Sequence, residues 1–210
     1  MKTLIASPCM DKVDTPFLVS MLNLQIDVAA NYSVTQATLV YDARNKLARD
    51  AVEGGYDRIL FFDSDMTFEP DIMKRLEARM DEGYDLVTGL YFTRKAPWTP
   101  TIYKRLEYVP QDDLTVLPVA EAFDEFPEDD VFEIKACGFG GCIVSVELIK
   151  KITDKYGLPF SPQPGFGEDL SFCMRAKEFG AKMVCDSGIR LGHIMYGIMD
   201  EKLWRVKRGG

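Results

Sequence analysis

The sequence predicts a single α/β domain organised around a layered sheet. Apolar, strand-like runs alternate with helical patterns through the first ninety residues, and helix start and stop signals fall between them. The length of 210 residues suits one domain with a substantial core. Hydrophobic residues at 47% and charged residues at 28% are typical of globular proteins. Pattern, length and composition therefore agree on this fold class.

The first two strand–helix units are predicted from their boundaries as well as from their apolar residues. A strand is expected over 3–6, and Pro16 opens a helix that runs towards Ala30. β-Branched residues favour a short strand over 34–40. A helix over 42–52 follows, because small and apolar residues recur on one face and two glycines come after it.

The next unit carries the most specific signal in the chain. A predicted buried strand over 58–62, apolar after Arg58, is followed at once by Asp63-Ser64-Asp65. Pro70 opens another helix, which ends near Gly83, and a strand over 86–92 comes next. These units extend the alternation of strands and helices to about residue 92.

The pattern changes at residue 93, where prolines begin to punctuate short strand-like pieces. We interpret 93–130 as an inserted hairpin or lid region that belongs to the same domain. After it the chain returns to the sheet, with strands expected over 131–135, 138–144 and 182–185 and helices expected from Val146 and over 168–179.

Two carboxylates at the end of a buried strand predict a cation site. Ligands of open α/β sheets bind beyond the carboxyl ends of the strands. Asp63 and Asp65 are two residues apart, so they point to the same side of an extended chain. Such a pair repels unless a proton or cation lies between the two groups, and Mg²⁺ or Mn²⁺ would bridge them to phosphate oxygens. A plain pair of turn acids is the alternative that this motif alone leaves open.

Charge and hydropathy argue against several other classes of function. The formal charge is −8, so the chain lacks the broad basic surface of proteins that bind polyanions. No apolar run approaches the roughly 18 residues that span a bilayer, and the first run is too short for a signal peptide. A cytoplasmic protein is therefore expected. Five cysteines without paired spacing argue against a disulfide framework, and four of them are predicted to be reduced core residues: Cys137, Cys142, Cys173 and Cys185.

Four motifs, in order, resemble the GT-A glycosyltransferases, in particular the inverting, family 2-like enzymes. Residues 54–65, GGYDRILFFDSD, resemble their DxD region, with Arg44-Asn45 on the preceding helix. Residues 138–144, GFGGCIV, resemble their Gly-rich strand, and Gly167-Glu168-Asp169 resembles their Glu-Asp motif. His193 follows the last predicted strand, where many of these enzymes have a histidine. The resemblance covers nearly the whole chain.

The resemblance implies a single GT-A type domain with a Rossmann-like mixed sheet flanked by helices. Residues 1–92 would form the nucleotide-binding half and residues 131–198 the acceptor and metal half. The hairpin region over 93–130 would lie between them, and a basic tail over 199–210 would follow. Three residues of the hairpin region are expected where a segment could cover the donor: Arg94, Lys95 and Trp98.

The resemblance also implies roles for individual side chains. Asp65 would bind the metal, Asp63 would contact the ribose or the metal shell, and His193 would be a distant metal ligand. Asp169 would be the general base that takes the proton of the acceptor hydroxyl, with Glu168 as the neighbouring candidate. An ordinary loop histidine and two acids that merely favour a helix dipole are the alternatives.

The implied cofactor is Mn²⁺ or Mg²⁺, and the implied donor is a nucleoside-diphosphate sugar, with a UDP-sugar favoured. Because one base and no second carboxylate nucleophile are evident, transfer of a hexose with inversion is expected. The acceptor would be a hydroxyl of a glycan, a lipid or a protein, and the acidic charge makes a nucleic acid less expected. The residues expected to bind the donor are Ser7, Pro8, Asp42, Arg44, Asp63, Ser64, Gly140 and Gly141.

Two other functions remain open from the sequence. The run from Asp63 to Thr67, DSDMT, satisfies the first motif of haloacid dehalogenase-like phosphatases, and Leu86-Val87-Thr88-Gly89 resembles their second. The nucleophile strand of that class normally opens the domain, whereas two strands and two helices are predicted before it here. The other alternative is a nucleotide-sugar binding module that has lost catalysis.

Overall fold

The computed structural model describes residues 1–26, 30–36, 39–111 and 115–196. Within these ranges the chain forms twelve strands and five helices. The predicted basic tail over 199–210 lies outside the described residues. The strands are β1 (Thr3–Cys9), β2 (Ala30–Gln36), β3 (Arg58–Phe62), β4 (Met66–Thr67), β5 (Leu86–Leu90), β6 (Ile102–Pro110), β7 (Val116–Ala122), β8 (Val131–Glu133), β9 (Ala136–Cys137), β10 (Gly141–Ser145), β11 (Met183–Arg190) and β12 (Gly192–His193). The helices are α1 (Thr15–Asn23), α2 (Val40–Glu53), α3 (Ile72–Asp81), α4 (Val146–Tyr156) and α5 (Glu168–Glu178).

Seven strands form a mixed central sheet in the order β2-β1-β3-β10-β5-β11-β8. The strands β2, β1 and β3 are parallel to one another, as are β5 and β11. Strand β10 lies between β3 and β5 and runs antiparallel to both, and β8 is antiparallel to β11 at the edge. The predicted α/β fold, with a mixed sheet flanked by helices, is confirmed.

The central strands are buried on both faces, which explains why they are continuous apolar runs in the sequence. Every residue of β1, β3 and β5 is buried. Successive residues of β3 point to opposite faces, so Phe61 packs in one hydrophobic cluster and Phe62 in the other. Phe139 and Phe172 join the first cluster, and Phe17 joins the second.

The hairpin region predicted over 93–130 is present. Strands β6 and β7 pair antiparallel, and β6 also pairs with β9 just before the Gly-rich segment. The hydroxyl of Tyr108 in β6 donates a hydrogen bond to the carbonyl of Pro164 at 2.8 Å. The hairpin is therefore attached to the main domain close to the start of α5.

Two predicted boundaries near the start of the chain are wrong. Helix α1 ends at Asn23 rather than near Ala30, because Leu24 adopts extended backbone angles. Val40 does not end a strand: β2 stops at Gln36, and Val40 is the first residue of α2, after an extended Leu39. Val40 is exposed, so its β propensity alone was a weak guide to the end of the strand.

The expectation about cysteines is confirmed, since all five are free and buried. Within the described part of the chain, none of the helices combines the length and apolar character that crossing a bilayer requires.

Candidate active site

The acids of the Asp63-Ser64-Asp65 motif stand at the carboxyl end of β3, where backbone hydrogen bonds hold them. The Asp63 amide continues the ladder to β10 by donating to the Gly140 carbonyl at 3.2 Å. The Ser64 carbonyl accepts from the Asp14 amide at 3.1 Å, and the Asp65 carbonyl accepts from the Ile194 amide at 2.8 Å. Segments distant in sequence therefore fix the backbone of this motif.

Asp63 is bound by a buried arginine. Arg44 of α2 is 2% exposed, and its Nη2 lies 2.9 Å from Asp63 Oδ1. Its Nε lies 3.2 Å from Glu168 Oε1. Its Cζ lies 5.6 Å from the centre of the Phe61 ring and 5.5 Å from the centre of the Phe139 ring. Burial acts to lower the pKa of Arg44, but the carboxylates of Asp63 and Glu168 outweigh it and raise the pKa. The Arg44 guanidinium thus joins Asp63 of the strand-end motif to Glu168 of the helix-start motif.

Asp65 faces different partners. Its Oδ2 lies 2.7 Å from Arg94 Nη1 and 3.5 Å from His193 Nε2. His193 is brought to Asp65 because β12 pairs with β4, with His193 opposite Met66. Burial acts to raise the pKa of Asp65, but His193 and Arg94 outweigh it and lower the pKa.

The histidine has a defined orientation. His193 Nδ1 lies 2.8 Å from the Phe92 carbonyl oxygen, which can only accept a hydrogen bond, so Nδ1 donates and Nε2 faces Asp65. Burial acts to lower the pKa of His193, but the interaction with Asp65 outweighs it and raises the pKa. An imidazole fixed through one nitrogen and open at the other is the usual arrangement of a metal ligand.

The second acidic motif opens α5. Glu168 is taken by Arg44, whereas Asp169 has no ion pair among the described residues. Asp169 Oδ1 accepts a hydrogen bond from the Leu170 amide at 2.7 Å. Burial, with a smaller contribution from the charge of Glu168, raises the pKa of Asp169 to about 6. Of the two acids, Asp169 is therefore the one suited to exchange a proton near neutral pH.

Two adjoining cavities bring these residues together. The larger, of about 660 Å³, is lined by both acids of the α5 motif together with Tyr91 and Phe139. The smaller, of about 380 Å³, is lined by residues 8–12, Asp14 and the strand-end motif. Both cavities are bordered by the same four residues: Val40, Asp63, Arg94 and His193. The strand-end acids and the helix-start acids thus border one continuous cleft.

The structure places eight of the sequence-predicted site residues on this cleft: Pro8, Arg44, Asp63, Ser64, Asp65, Glu168, Asp169 and His193. The other four do not line either cavity: Ser7, Asp42, Gly140 and Gly141. Ser7 is buried in β1, and Asp42 is exposed on the first turn of α2. A Cβ on Gly140 would lie 2.9 Å from the Tyr91 ring, and one on Gly141 would lie 2.3 Å from Leu191. Close internal packing therefore accounts for both glycines.

Sequence reasoning missed Tyr91, which shapes the floor of the larger cavity. It is 4% exposed, and its hydroxyl accepts a hydrogen bond from the Gly140 amide at 2.9 Å. A Cβ on Gly138 would lie 2.2 Å from this hydroxyl, so Tyr91 explains that glycine as well. The available signal was a tyrosine that directly follows the buried strand β5.

The cleft offers two donors that suit a hard divalent cation: the Asp65 carboxylate and His193 Nε2. Within the four described ranges, no group of three or more His, Cys, Asp or Glu side chains is arranged to hold a metal. Mg²⁺-type ions are commonly held by one or two carboxylates and complete their shell with substrate phosphates and water. The donor set therefore fits an ion that is bound jointly with a phosphate ligand.

Comparisons with known proteins were informative only at the level of structure. No protein-family model matches the sequence, and no curated protein matches it. Solved glycosyltransferase structures do match. One is A197 from STIV, with a TM-score of 0.64 and 21% identity over 93% of this chain and 87% of that one.

Two further structures extend the comparison. TarS 1-349 of S. aureus has a TM-score of 0.55 and 18% identity, covering 92% of this chain and 60% of that one. GalNAc-T7 with UDP, GalNAc and Mn2+ has a TM-score of 0.63 and 9% identity, covering 94% and 44%. The chain thus spans about half the length of these two. At such identities the likeness establishes the fold: the chain has a GT-A-like glycosyltransferase fold, as its motifs predict.

Proposed function

We propose that the chain is a metal-dependent glycosyltransferase that moves a hexose from a nucleoside-diphosphate sugar to an acceptor hydroxyl with inversion. One observation carries the proposal. Asp65 and His193 meet in the smaller cavity, and Asp169, which has no ion pair among the described residues, lines the larger one. A transferase of this kind needs a group that stabilises the leaving diphosphate and a separate group that accepts the acceptor's proton.

Asp169 is the proposed general base. Its pKa of about 6 leaves it mostly ionised at neutral pH, yet basic enough to take a proton as the hydroxyl attacks. Glu168 is the weaker candidate, because Arg44 already binds its carboxylate. We assign Glu168 the role of holding the start of α5 in place through Arg44.

Asp65 and His193 are the residues that would hold Mn²⁺ or Mg²⁺. When bound, such a cation supplies Lewis-acid stabilisation of the negative charge that develops on the departing diphosphate. Asp63 contributes through its position: Arg44 binds its Oδ1, and the residue borders both cavities. We propose that it contacts the donor ribose.

Inversion follows from the number of free carboxylates. A double displacement needs a second acid as nucleophile beside the anomeric carbon. Asp63 and Glu168 are both paired with Arg44, and Asp65 faces Arg94 and His193. Of the four acids in the two motifs, Asp169 is thus the one left to act as a base, which favours one displacement and one inversion.

The donor is proposed to lie in the smaller cavity, between residues 8–14 and Asp65. A UDP-sugar is favoured, and the similar structure of GalNAc-T7 contains UDP and Mn2+. The sugar would then point towards the larger cavity and Asp169. The acceptor hydroxyl would enter from that cavity, and its chemical class is open. A cytoplasmic location stays a prediction of the sequence, which cell fractionation would test.

The phosphatase alternative is not favoured. Its nucleophile would be Asp63. Arg44 Nη2 lies 2.9 Å from a carboxylate oxygen of that residue, so the group that would have to attack is already held in an ion pair. The similar solved structures are glycosyltransferases rather than phosphatases.

A thermal-shift screen of UDP-, GDP- and dTDP-sugars with and without Mn²⁺ tests the proposal. We expect one nucleotide class to raise the melting temperature, and only when Mn²⁺ is present. The donor that does so should then be consumed when the acceptor is supplied, with release of the nucleoside diphosphate. Hydrolysis of a generic phosphate monoester without stabilisation by any donor would support the phosphatase instead.

A further inference from the structure

Arg94 lies on a short loop whose two ends are tied together. The Thr93 amide donates to the Thr99 carbonyl at 2.9 Å, and the Thr99 amide donates to Thr93 Oγ1 at 3.2 Å. Between these residues the loop is exposed, and the side chain of Trp98 is 63% exposed. The loop therefore has a closed shape and carries Arg94 and Trp98 as one unit.

Arg94 binds the carboxylate oxygen of Asp65 that a metal ion would need as a ligand. Its Nη1 lies 2.7 Å from Asp65 Oδ2, the same oxygen that faces His193 Nε2. The two side chains that face Asp65 differ in how they are held. His193 is fixed through the Phe92 carbonyl and the β12–β4 pairing, whereas the Arg94 side chain is 55% exposed and borders both cavities.

A guanidinium and a divalent ion compete for the same carboxylate oxygen. An ion pair this exposed is weak, since solvent screens it and the arginine loses side-chain entropy in forming it. A divalent cation carries twice the charge on a smaller radius, so it is able to displace Arg94 from Asp65. The displaced guanidinium remains tethered at the border of the smaller cavity, where a metal-bound diphosphate would lie.

Building on the proposed function, we propose that Arg94 is a donor-binding residue that exchanges partners. Without donor it neutralises Asp65, and when a divalent cation takes its place on Asp65 it moves to the oxygens of the donor diphosphate. Guanidinium groups bind phosphate oxygens through paired, charge-assisted hydrogen bonds, so the second partner is the stronger one. Metal and diphosphate should therefore bind cooperatively, because each favours the same position of the loop.

The exchange makes opposite predictions for the two ligands of an Arg94→Ala variant. Mn²⁺ alone should bind about two- to fivefold more tightly, because its competitor is gone and an exposed ion pair has about that worth. Inorganic pyrophosphate in the presence of Mn²⁺ should bind about tenfold more weakly, because a charge-assisted contact is lost. Electron paramagnetic resonance of free Mn²⁺ and titration calorimetry with pyrophosphate measure the two affinities without any need for catalysis.

Lys95→Ala is the matched control. It removes the same charge from the next position of the loop, and Lys95 has no ion pair within the described residues. We expect its affinity for Mn²⁺ alone to equal that of the wild type. Equal melting temperatures of the three proteins would show that both substitutions leave the fold intact.

Loop movement can be followed directly. The chain has two tryptophans, so a Trp204→Phe background leaves Trp98, on the loop that carries Arg94, as the sole tryptophan. Addition of Mn²⁺ and pyrophosphate should change the Trp98 emission in this background, and Arg94→Ala should abolish the change.

Weaker binding of Mn²⁺ alone by Arg94→Ala, or unchanged affinity for both ligands, would overturn the exchange while leaving the glycosyltransferase proposal intact. Failure of the transferase proposal alone can also be recognised. If Mn²⁺ and pyrophosphate behave as predicted but no nucleotide sugar binds the wild type, the exchange holds and the proposed transferase function fails.

Discussion

The two acidic motifs of the cleft are built on the same plan: each has one acid that Arg44 binds and one that it leaves free. In the strand-end motif Arg44 binds Asp63, and in the helix-start motif it binds Glu168. The free acids are Asp65 and Asp169. The sequence alone presents two pairs of similar carboxylates, whereas the fold gives each pair one member bound by Arg44 and one member to which we assign a working role.

The free acids differ in their surroundings, and this difference suits them to different chemistry. Asp65 faces His193 and Arg94, which lower its pKa and favour the ionised form that a cation ligand requires. Asp169 has no ion pair in the part of the chain that the structure describes, and burial raises its pKa to about 6, where it can exchange a proton. Asp65 is thus suited to bind a cation, and Asp169 is suited to accept and release a proton.

Replacing the free acid of the helix-start motif should have the largest effect. Asp169→Asn should lower kcat by about a thousandfold, the typical worth of a general base, and leave donor binding unchanged. Glu168→Gln is the matched variant, and its loss should be about tenfold or less because the Gln amide oxygen still accepts from Arg44. Steady-state transfer rates and donor titrations measure both. A greater loss from Glu168→Gln would reverse the division between the two acids.

Removing the shared cation should damage stability. Arg44→Met leaves Asp63 and Glu168 without their buried partner and should lower the free energy of unfolding by about 3–5 kcal/mol. Arg49→Met, an exposed position on the same helix, should change it by less than about 0.5 kcal/mol. Urea denaturation followed by circular dichroism provides the comparison. Equal stability of the two variants would show that Arg44 does not join the motifs.

The strand-end acids should separate in metal binding. Asp65→Asn should weaken Mn²⁺ binding by about a hundredfold or more, since even changes behind a metal ligand cost ten- to a hundredfold. Asp63→Asn should have a smaller effect on Mn²⁺, because Asp63 is directed to Arg44. Calorimetric titration with Mn²⁺ and UDP tests the difference. If Asp63→Asn loses more affinity, Asp63 is the principal ligand.

The pH dependence should be the most modest effect. A base is active only when deprotonated, so kcat/KM should fall as pH drops through the pKa of Asp169, at about 6. Below that value the loss should be about tenfold for each pH unit. A rate profile from pH 5 to 8 checks this, and a profile that is flat between 5 and 7 would remove Asp169 as the base.

Local pattern was enough to predict much of the fold. The strand over 58–62 has the predicted bounds. Its apolar residues are flanked by two glycines before it and by Asp63 after it, and these neighbours mark where the buried segment begins and ends. The antiparallel insertion of β10 between β3 and β5 was not predicted, since pairing between strands more than fifty residues apart leaves no local trace. The end of α1 was missed for a similar reason: the apolar pattern continues beyond Leu24 although the helix does not.

The candidate site likewise has features that the sequence predicts and contacts that only the fold reveals. The identity of its acids could be predicted, because motifs in order are a property of the sequence. The pairing of Arg44 with Glu168 joins residues 124 positions apart, and no spacing rule predicts it. The contact of Arg94 with Asp65 depends on how the loop after β5 closes, which is equally non-local.

Anomalous diffraction from crystals grown with Mn²⁺ and UDP would test the central division between structural and working acids most directly. We predict one manganese peak between the Asp65 carboxylate and His193 Nε2, with Asp63 and Glu168 still on Arg44 and Asp169 free of metal. A peak bound by Asp63 and Glu168, with Arg44 displaced, would contradict this account.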